Sequence, residues 1–250
     1  MPRTPVILLP GVVLPAALAY PGLVAALGDG FECIAKELEV YAGPEPPKGF
    51  GMDTEVEGIA RVAQQSGFDQ FHLVGYSGGG ASSLAFAATY PDRLLSLALL
   101  EPAWAGNEGL SPEEQALRTE GDRIKMLPPD QQMPAFMRAQ VAADTPLPPP
   151  PDGPQPEWMA SRPAGIVAFL EAFPRFHLDL DALRGFERPV YYAVGGRSNP
   201  DYFARQADRL STVFADFTIE VYDERHHFDP PHRAEPERLA ASLTRMWART

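Results

Sequence analysis

The chain has 250 residues, and its 45% hydrophobic content is enough for one α/β domain with an insertion and a substantial core. A net charge of −12 argues against nucleic acid or an anionic membrane as partner, because both require a basic protein face. The single cysteine, Cys33, excludes an intramolecular disulfide and a thiolate metal cluster.

The first predicted elements are a buried strand at 5–9, a loop at 10–14 and a helix at 15–27. This stretch carries no charge and resembles a membrane span or signal sequence in hydropathy alone. Prolines interrupt it, at Pro5, Pro10, Pro15 and Pro21. A helix broken this often would leave unpaired backbone groups in lipid. We therefore expect a soluble, cytoplasmic protein without a membrane partner.

A second strand is predicted at 31–41 and an amphipathic helix at 53–66. The strand is less regular than the first, because charged and apolar residues alternate along its second half. Asp53 stands where a side chain can cap the helix start. The helix leads directly into the segment that carries the main functional signal.

That signal is a change of pattern at Ser77. Residues 71–74 are apolar and β-branched, as in a strand, whereas residues 78–89 are mostly small and predict a helix. Between them lies Gly-Tyr-Ser-Gly-Gly at 75–79, a Gly-x-Ser-x-Gly pattern in a strand-turn-helix context. The pattern predicts a serine nucleophile at the strand's carboxyl end. The Gly78 N–H, which opens the helix, is then an oxyanion donor.

After another apolar strand at 94–100, the pattern changes between residues 105 and 186. Three helical stretches are predicted there, at 112–127, 130–143 and 157–173. A proline-rich loop at 145–156 separates the last two. We interpret 105–186 as a helical cap inserted into the core.

The alternation of strands and helices then resumes. Strands are predicted at 189–195 and 217–222, and helices at 202–214 and 236–248. The sequence thus predicts an α/β core made of 1–104 and 187–250, with a mainly parallel sheet of about six strands flanked by helices. In such sheets, ligands bind outside the carboxyl ends of the strands.

A serine hydroxyl needs a base that takes its proton, and the chain offers five histidines. His227, just after the last strand, is the predicted base, and its neighbour His226 is the alternative. His72 is expected inside the nucleophile strand and His177 in the cap. His232, which follows two prolines, is expected at the surface or in loop packing.

Most of the chain resembles the α/β-hydrolase fold superfamily. The similarity is carried by Leu-Val-Gly-Tyr-Ser-Gly-Gly-Gly at 73–80, Tyr-Pro-Asp-Arg-Leu at 90–94, and His-Phe at 227–228 leading to Pro-Glu-Arg-Leu at 236–239. The order of nucleophile before base agrees with that family. Relatives usually carry Gly-His where this chain has two histidines, which favours His227 as the base.

The resemblance also implies the second oxyanion donor. Relatives commonly carry His-Gly after the first strand, whereas this chain has Pro-Gly at 10–11. Because the donor is a backbone N–H, the missing histidine need not remove it. The resemblance places this donor on Val12, with Val13 as the alternative.

The third member of the triad departs from the usual pattern. Relatives usually place the acid in a Gly-x-x-Asp stretch after the penultimate strand, but residues 195–198 here read Gly-Gly-Arg-Ser. A minority of the superfamily places it after the strand that follows the nucleophile helix, where this chain has Glu101. We predict that Glu101 orients His227, with Asp201 as the alternative.

Large apolar residues of the cap region are expected to line the substrate pocket, at Trp104, Met133, Phe136, Met137 and Trp158. They favour a small or medium apolar acyl or aryl group over a sugar or a charged metabolite. No cofactor and no metal are predicted. The histidines after the last strand lack i, i+4 spacing, and no phosphate loop or dinucleotide fingerprint is present.

The leading hypothesis is a serine hydrolase that cleaves a carboxylic ester through an acyl-enzyme on Ser77. A thioester, a lactone or a C–C bond beside a carbonyl could be cleaved by the same residues. A hydroxynitrile-lyase-like enzyme and a non-catalytic ligand receptor are the alternatives. Halide displacement and epoxide opening are disfavoured, because those relatives need a carboxylate nucleophile. The sequence specifies neither the substrate nor the oligomeric state.

Overall fold

A computed structural model of the chain describes residues 3–147 and 153–250, so part of the predicted proline-rich loop at 145–156 lies outside the described residues. Six strands form one sheet: β1 (Thr4–Leu9), β2 (Phe31–Ala35), β3 (Phe71–Tyr76), β4 (Leu94–Leu100), β5 (Val190–Gly195) and β6 (Phe217–Tyr222). Their order is β2-β1-β3-β4-β5-β6, and each neighbouring pair is parallel. The predicted fold class is confirmed.

Helices connect the strands and cover the sheet. They are α1 (Ala16–Ala19), α2 (Pro21–Leu27), α3 (Met52–Gln65), α4 (Gly78–Thr89), α5 (Pro112–Lys125), α6 (Pro129–Ala139), α7 (Arg162–Ala172), α8 (Leu180–Arg184), α9 (Arg205–Ser211), α10 (Pro231–Ala234) and α11 (Pro236–Trp247). Short 3₁₀ segments occur at Glu39–Tyr41, Pro91–Arg93, Glu157–Ser161 and Phe173–Arg175, and a π-helical turn at Pro200–Ala204. No helix in the described residues is both long and apolar enough to cross a membrane.

The core lies on both faces of the sheet, because successive strand residues point to opposite sides. In β1, Val6 and Leu8 belong to a buried cluster with residues of α2 and α11, whereas Ile7 and Leu9 belong to the cluster on the other face, with residues of α3 and α4. Both sets are fully buried, as expected for a parallel sheet covered on two faces.

The strand order also determines where the site lies. The chain moves from β1 to β2 on one side and then returns to β3 on the other side of β1. The crevice at such a reversal, outside the carboxyl ends of β1 and β3, is where open α/β sheets bind ligands. The loop with Val12 and the turn with Ser77 leave the sheet at these two ends.

Two elements predicted near the N-terminus differ in the structure: a strand is shorter and a helix is divided. The strand predicted at 31–41 ends at Ala35. The N–H groups of Glu39 and Val40 instead donate to the buried carboxylate of Glu55, at 3.0 Å each, which stabilises a 3₁₀ turn. The helix predicted at 15–27 is divided between α1 and α2, because Pro21 lacks the backbone N–H that would continue the hydrogen bonding of α1.

Other departures concern helix ends. Asp53 does not cap α3, because the helix begins at Met52 and the Thr54 hydroxyl accepts the Gly51 N–H at 3.4 Å. The helix predicted at 157–173 is a 3₁₀ segment followed by α7, and the one at 202–214 starts as a π-helical turn. The short helices α8 and α10 were not predicted. The division into a core and a cap at 105–186 stays a prediction.

Candidate active site

Ser77 occupies a strained turn between β3 and α4. Its φ of 51° and ψ of −116° are sparsely populated by non-glycine residues. Two neighbouring glycines make this turn possible. A Cβ on Gly75 would overlap the Gly79 carbonyl, and a Cβ on Gly79 would lie 2.5 Å from the Pro10 carbonyl oxygen. The turn therefore directs the serine side chain away from the sheet at its carboxyl edge.

The turn after β4 is tied to the serine turn by backbone hydrogen bonds. The Ser77 N–H donates to the Leu100 carbonyl at 3.1 Å, and the Ala103 N–H donates to the Ser77 carbonyl at 2.9 Å. Glu101, which lies between these anchors, also has a positive φ, 48°. The strained backbone at both turns brings the glutamate side chain to the same edge as the serine hydroxyl.

Ser77, His227 and Glu101 form one buried chain of hydrogen bonds. His227 Nε2 lies 3.0 Å from Ser77 Oγ, and His227 Nδ1 lies 3.0 Å from Glu101 Oε2. The other carboxylate oxygen accepts the Gly195 N–H at 2.8 Å. A carboxylate on Nδ1 favours the tautomer that leaves Nε2 free to accept the serine proton. The structure thus brings together the three residues predicted from the sequence.

Aromatic side chains surround the His227 ring. Phe203 stacks on it with centroids 4.5 Å apart, and Phe228 contacts it edge-on at 5.3 Å. Tyr76 packs at 5.0 Å and donates its hydroxyl proton to the His227 carbonyl. Neither Phe203 nor Tyr76 was predicted from the sequence. Tyr76 is the residue before the serine in the Gly-x-Ser-x-Gly motif. Its place in this motif is the one sequence feature that could have indicated a role at the site.

The alternative base and acid lie elsewhere. The His226 ring accepts the Phe228 N–H at 3.1 Å, and burial lowers the pKa of this histidine. The Asp201 side chain is 63% exposed and pairs with Arg205 at 3.5 Å. Ser198, at the position where relatives usually carry the acid, is buried.

Two further histidines, His72 and His232, are packed in the interior. His72 lies in β3, where its ring stacks on Trp247 and Nδ1 lies 2.8 Å from the Ser96 hydroxyl. His232 is buried rather than exposed, because its ring is enclosed by Tyr20 and Tyr76 at centroid distances of 4.9 and 4.8 Å. Burial lowers the pKa of His72 to about 4 and that of His232 to about 3.

The two predicted oxyanion donors are neighbours. A Cβ built on Gly78 would lie 3.7 Å from the Val12 nitrogen. Within the described residues, neither the Val12 nor the Gly78 N–H donates a hydrogen bond to the protein. The Tyr41 hydroxyl donates to the Val12 carbonyl at 2.6 Å, and the Arg162 guanidinium lies 3.8 Å above the Tyr41 ring. These contacts hold the loop after β1 next to the serine turn.

A cavity of about 280 Å³ opens onto Ser77 and Val12. Its wall is mostly apolar and includes the predicted residues Trp104 and Phe136. Further apolar lining residues come from α5 and α7 and the segment after α7, namely Leu117, Ile124, Ile166, Phe169, Leu170 and Phe173. Polar lining side chains are Gln115, Arg118, Asp122, Gln140 and Tyr202.

Three of the predicted pocket residues lie elsewhere. Met133 lines a smaller neighbouring cavity, which shares Phe136 with the first. Met137 and Trp158 line neither of these two cavities. Met137 follows Phe136 directly on α6, so it points about 100° away around the helix. Trp158 belongs to a 3₁₀ segment and has the Arg162 guanidinium 5.5 Å from its ring.

The described residues contain no group of three or more His, Cys, Asp or Glu side chains placed to hold a metal ion. The predicted absence of metal and cofactor stays a prediction.

Comparison with known proteins identifies a matching family, a related sequence and similar folds. A family model described as "alpha/beta hydrolase fold" matches residues 4–151. Haloalkane dehalogenase 2 of Mycobacterium tuberculosis is 24% identical over 241 residues, which cover 90% of this chain and 81% of that protein. A thermophilic esterase from Thermogutta terrifontis superposes with a TM-score of 0.69 at 21% identity, over 98% of this chain and 89% of the esterase. The naproxen esterase of Bacillus subtilis gives 0.62 at 15% identity, over 98% and 84%.

Proposed function

This chain belongs to the alpha/beta hydrolase family and is a hydrolase, and we propose that it cleaves a carboxylic ester with a small or medium apolar acyl or aryl group. The observation that carries the proposal is the 3.0 Å contact between Ser77 Oγ and His227 Nε2, continued from Nδ1 to Glu101. A hydroxyl becomes an effective nucleophile when a base within hydrogen-bond reach takes its proton and a third group orients that base.

In the proposed reaction, Ser77 Oγ attacks the ester carbonyl carbon while its proton moves to His227 Nε2. Glu101 stabilises the imidazolium that forms, and the Val12 and Gly78 N–H groups donate to the oxygen that becomes negative. The C–O bond then breaks, and His227 returns the proton to the leaving alcohol oxygen. A water molecule, deprotonated by His227, attacks the acyl-enzyme and releases the acid and Ser77.

The cavity supports a substrate of modest size. Its volume of about 280 Å³ is near the lower end of ligand sites, and most of its wall is aliphatic or aromatic. Residues of α5, α6 and α7 line it together with Ser77, which supports the proposal that 105–186 is a cap over the nucleophile. The cap would exclude water from the reacting carbonyl and thereby strengthen the electrostatic interactions that act on it.

Dehalogenation, the activity in the name of the Mycobacterium relative, is not part of the proposal. Displacement of halide from a saturated carbon requires a nucleophile that forms an alkyl-enzyme ester. The resemblance implies that such relatives carry a carboxylate at the position of Ser77. The serine here is instead suited to acyl transfer, in which the oxyanion is stabilised by backbone N–H groups.

Covalent labelling tests the proposal. A fluorophosphonate probe should label the wild type, and 4-nitrophenyl esters should be hydrolysed. Ser77→Ala should lose both, whereas Ser66→Ala, at an exposed position after α3, should retain both. Equal ester hydrolysis by the Ser77→Ala variant would refute the proposal. Cyanohydrin cleavage without a phosphonate adduct would point to a lyase, and ligand binding without any turnover to a receptor.

A further inference from the structure

The mostly apolar wall of the cavity carries one arginine. Arg118 lies on α5, is half-buried, and lines the same cavity as Ser77. It donates one hydrogen bond, to the Gly106 carbonyl. It forms no ion pair with a carboxylate of the described residues, although several acidic side chains lie nearby. The remaining N–H groups of this guanidinium have no partner among the described residues and can donate to a ligand in the cavity.

The neighbouring acidic groups already have partners. Glu114 Oε1 accepts from Arg209 at 3.0 and 3.3 Å, and Glu114 Oε2 accepts the Ser111 N–H at 2.9 Å. Asp122, which also lines the cavity, pairs with Lys125 at 2.6 Å. Each of these carboxylates forms an ion pair with another cation. Arg118 therefore has no ion-pair partner among the described residues.

A half-buried guanidinium without an ion-pair partner is well suited to bind a ligand anion. Burial lowers the pKa of Arg118 and so does the nearby charge of Arg209, whereas Tyr202 and Glu114 act in the opposite direction. Arginine nevertheless stays protonated, so the site remains cationic without an internal partner. The chain as a whole carries a charge of −12 and repels anions, which makes a local cation more necessary for an anionic substrate.

We propose that Arg118 binds a carboxylate of the substrate, at the end remote from the ester carbonyl that Ser77 attacks. The inference rests on the proposed ester hydrolysis and modifies its acyl group: the apolar methylene chain ends in a carboxylate, as in half-esters of dicarboxylic acids. Apolar residues such as Ile124 and Phe169, which line the same cavity, would contact the methylene chain between the two carbonyl groups. A planar guanidinium can bind the carboxylate through two parallel hydrogen bonds.

Kinetics with matched substrates test the inference. The mono-4-nitrophenyl esters of glutarate, adipate and pimelate carry the terminal carboxylate, and 4-nitrophenyl hexanoate lacks it. We expect Arg118→Gln to lower kcat/KM for the best carboxylated ester by roughly 10- to 100-fold, the range for a lost charge-assisted pair. Hexanoate turnover should fall by a clearly smaller factor, so that the ratio of the two kcat/KM values drops by about 10-fold or more. Added salt should reduce the wild-type preference for the carboxylated ester.

Arg123→Gln is the matched control. It removes the same charge from the same helix, but its side chain is 61% exposed and pairs with Glu120. It should leave both activities at wild-type level. Equal losses with both esters in Arg118→Gln would assign the residue a structural role and overturn the inference. A loss with the carboxylated ester in Arg123→Gln as large as in Arg118→Gln would overturn it too, since overall charge would explain the effect.

A binding measurement separates this inference from the proposed function. Calorimetry with adipate monoanilide, in Ser77→Ala and in the double variant that also carries Arg118→Gln, requires no turnover. Arg118-dependent binding supports the carboxylate site even if no ester is hydrolysed. Ester hydrolysis without such binding overturns the carboxylate site and leaves the proposed function standing.

Discussion

Glu101 and His227 lie 126 positions apart in the chain and meet through a 3.0 Å contact between Oε2 and Nδ1. The second oxygen of the same carboxylate accepts the Gly195 N–H at 2.8 Å. The glutamate at the end of β4 is therefore fixed by both the imidazole and the turn after β5. Glu101 thus contacts His227 Nδ1 from the end of β4, whereas Ser198 stands after β5, where the resemblance implies an acid.

Glu101→Gln should lower kcat for ester hydrolysis by roughly 10³- to 10⁴-fold, as expected when the acid of a triad becomes an amide. The amide keeps an acceptor for the Gly195 N–H, but it can no longer stabilise an imidazolium or fix the tautomer of His227. Steady-state kinetics with a 4-nitrophenyl ester measure the change, and circular dichroism verifies the fold.

Asp201→Asn is the control for that experiment, since Asp201 was the alternative acid. Its side chain is largely exposed and faces Arg205, so we expect kcat to stay within about 2-fold of the wild type. The reverse result, a large loss for Asp201→Asn and a small one for Glu101→Gln, would reassign the third member of the triad.

Much of this site could be predicted because short sequence signals carry it. The Gly-x-Ser-x-Gly turn, the histidine after β6 and the glutamate after β4 all stand at strand ends. A parallel sheet brings its strand ends to one edge, so topology alone places them together. The family is confirmed, whereas the roles of these residues remain proposals.

The contacts that could not be predicted depend on side chains from distant elements. Nothing local to Phe203 indicates that it stacks on His227, because a π-helical turn presents it there. The early end of β2 depends on Glu55, which lies on a different element. Likewise, the burial of His232 depends on two tyrosines that are remote in sequence.

Tyr41→Phe tests the loop that carries the proposed oxyanion donor. The variant loses the 2.6 Å hydrogen bond to the Val12 carbonyl, which frees the loop after β1 to move away from Gly78. We expect kcat to fall about 10-fold with little change in KM, a fraction of the loss when an oxyanion donor is removed. Tyr90→Phe, at a residue that is 40% exposed, should have no such effect. A rise in KM at constant kcat would indicate a role in binding instead.

Gly79→Ala tests the close packing of the serine turn. The new Cβ would lie 2.5 Å from the Pro10 carbonyl oxygen and 2.6 Å from Leu9 Cβ, so the turn must shift. We expect the free energy of unfolding to fall by about 1–3 kcal/mol, with lower activity. Gly30→Ala is the control, because no atom lies within 4 Å of its new Cβ, and it should stay within about 0.5 kcal/mol of the wild type. Equal stability of the two variants in urea unfolding would contradict the packing argument.

His232→Phe should make the protein less sensitive to acid. Burial between Tyr20 and Tyr76 lowers the pKa of His232 from 6.5 to about 3 in the folded state, so the unfolded chain binds a proton there first as the pH falls. The stability contributed by the neutral ring is present above the unfolded pKa. It decreases by about 1.4 kcal/mol for each pH unit between about 6.5 and 3.

Urea unfolding at about pH 7 and pH 5 measures this effect, and the wild type should lose about 2 kcal/mol more than His232→Phe between these two conditions. Phenylalanine fits the same aromatic surroundings, and neither ring nitrogen of His232 has a partner in the described residues, so the substitution leaves no hydrogen bond unmade. His72 keeps its own share of the acid sensitivity in both proteins. His177→Gln serves as the control, because the His177 side chain is 78% exposed. This variant should lose as much stability between the two pH values as the wild type. If His232→Phe loses as much as well, the folded protein must accommodate a charged imidazole between the two tyrosines.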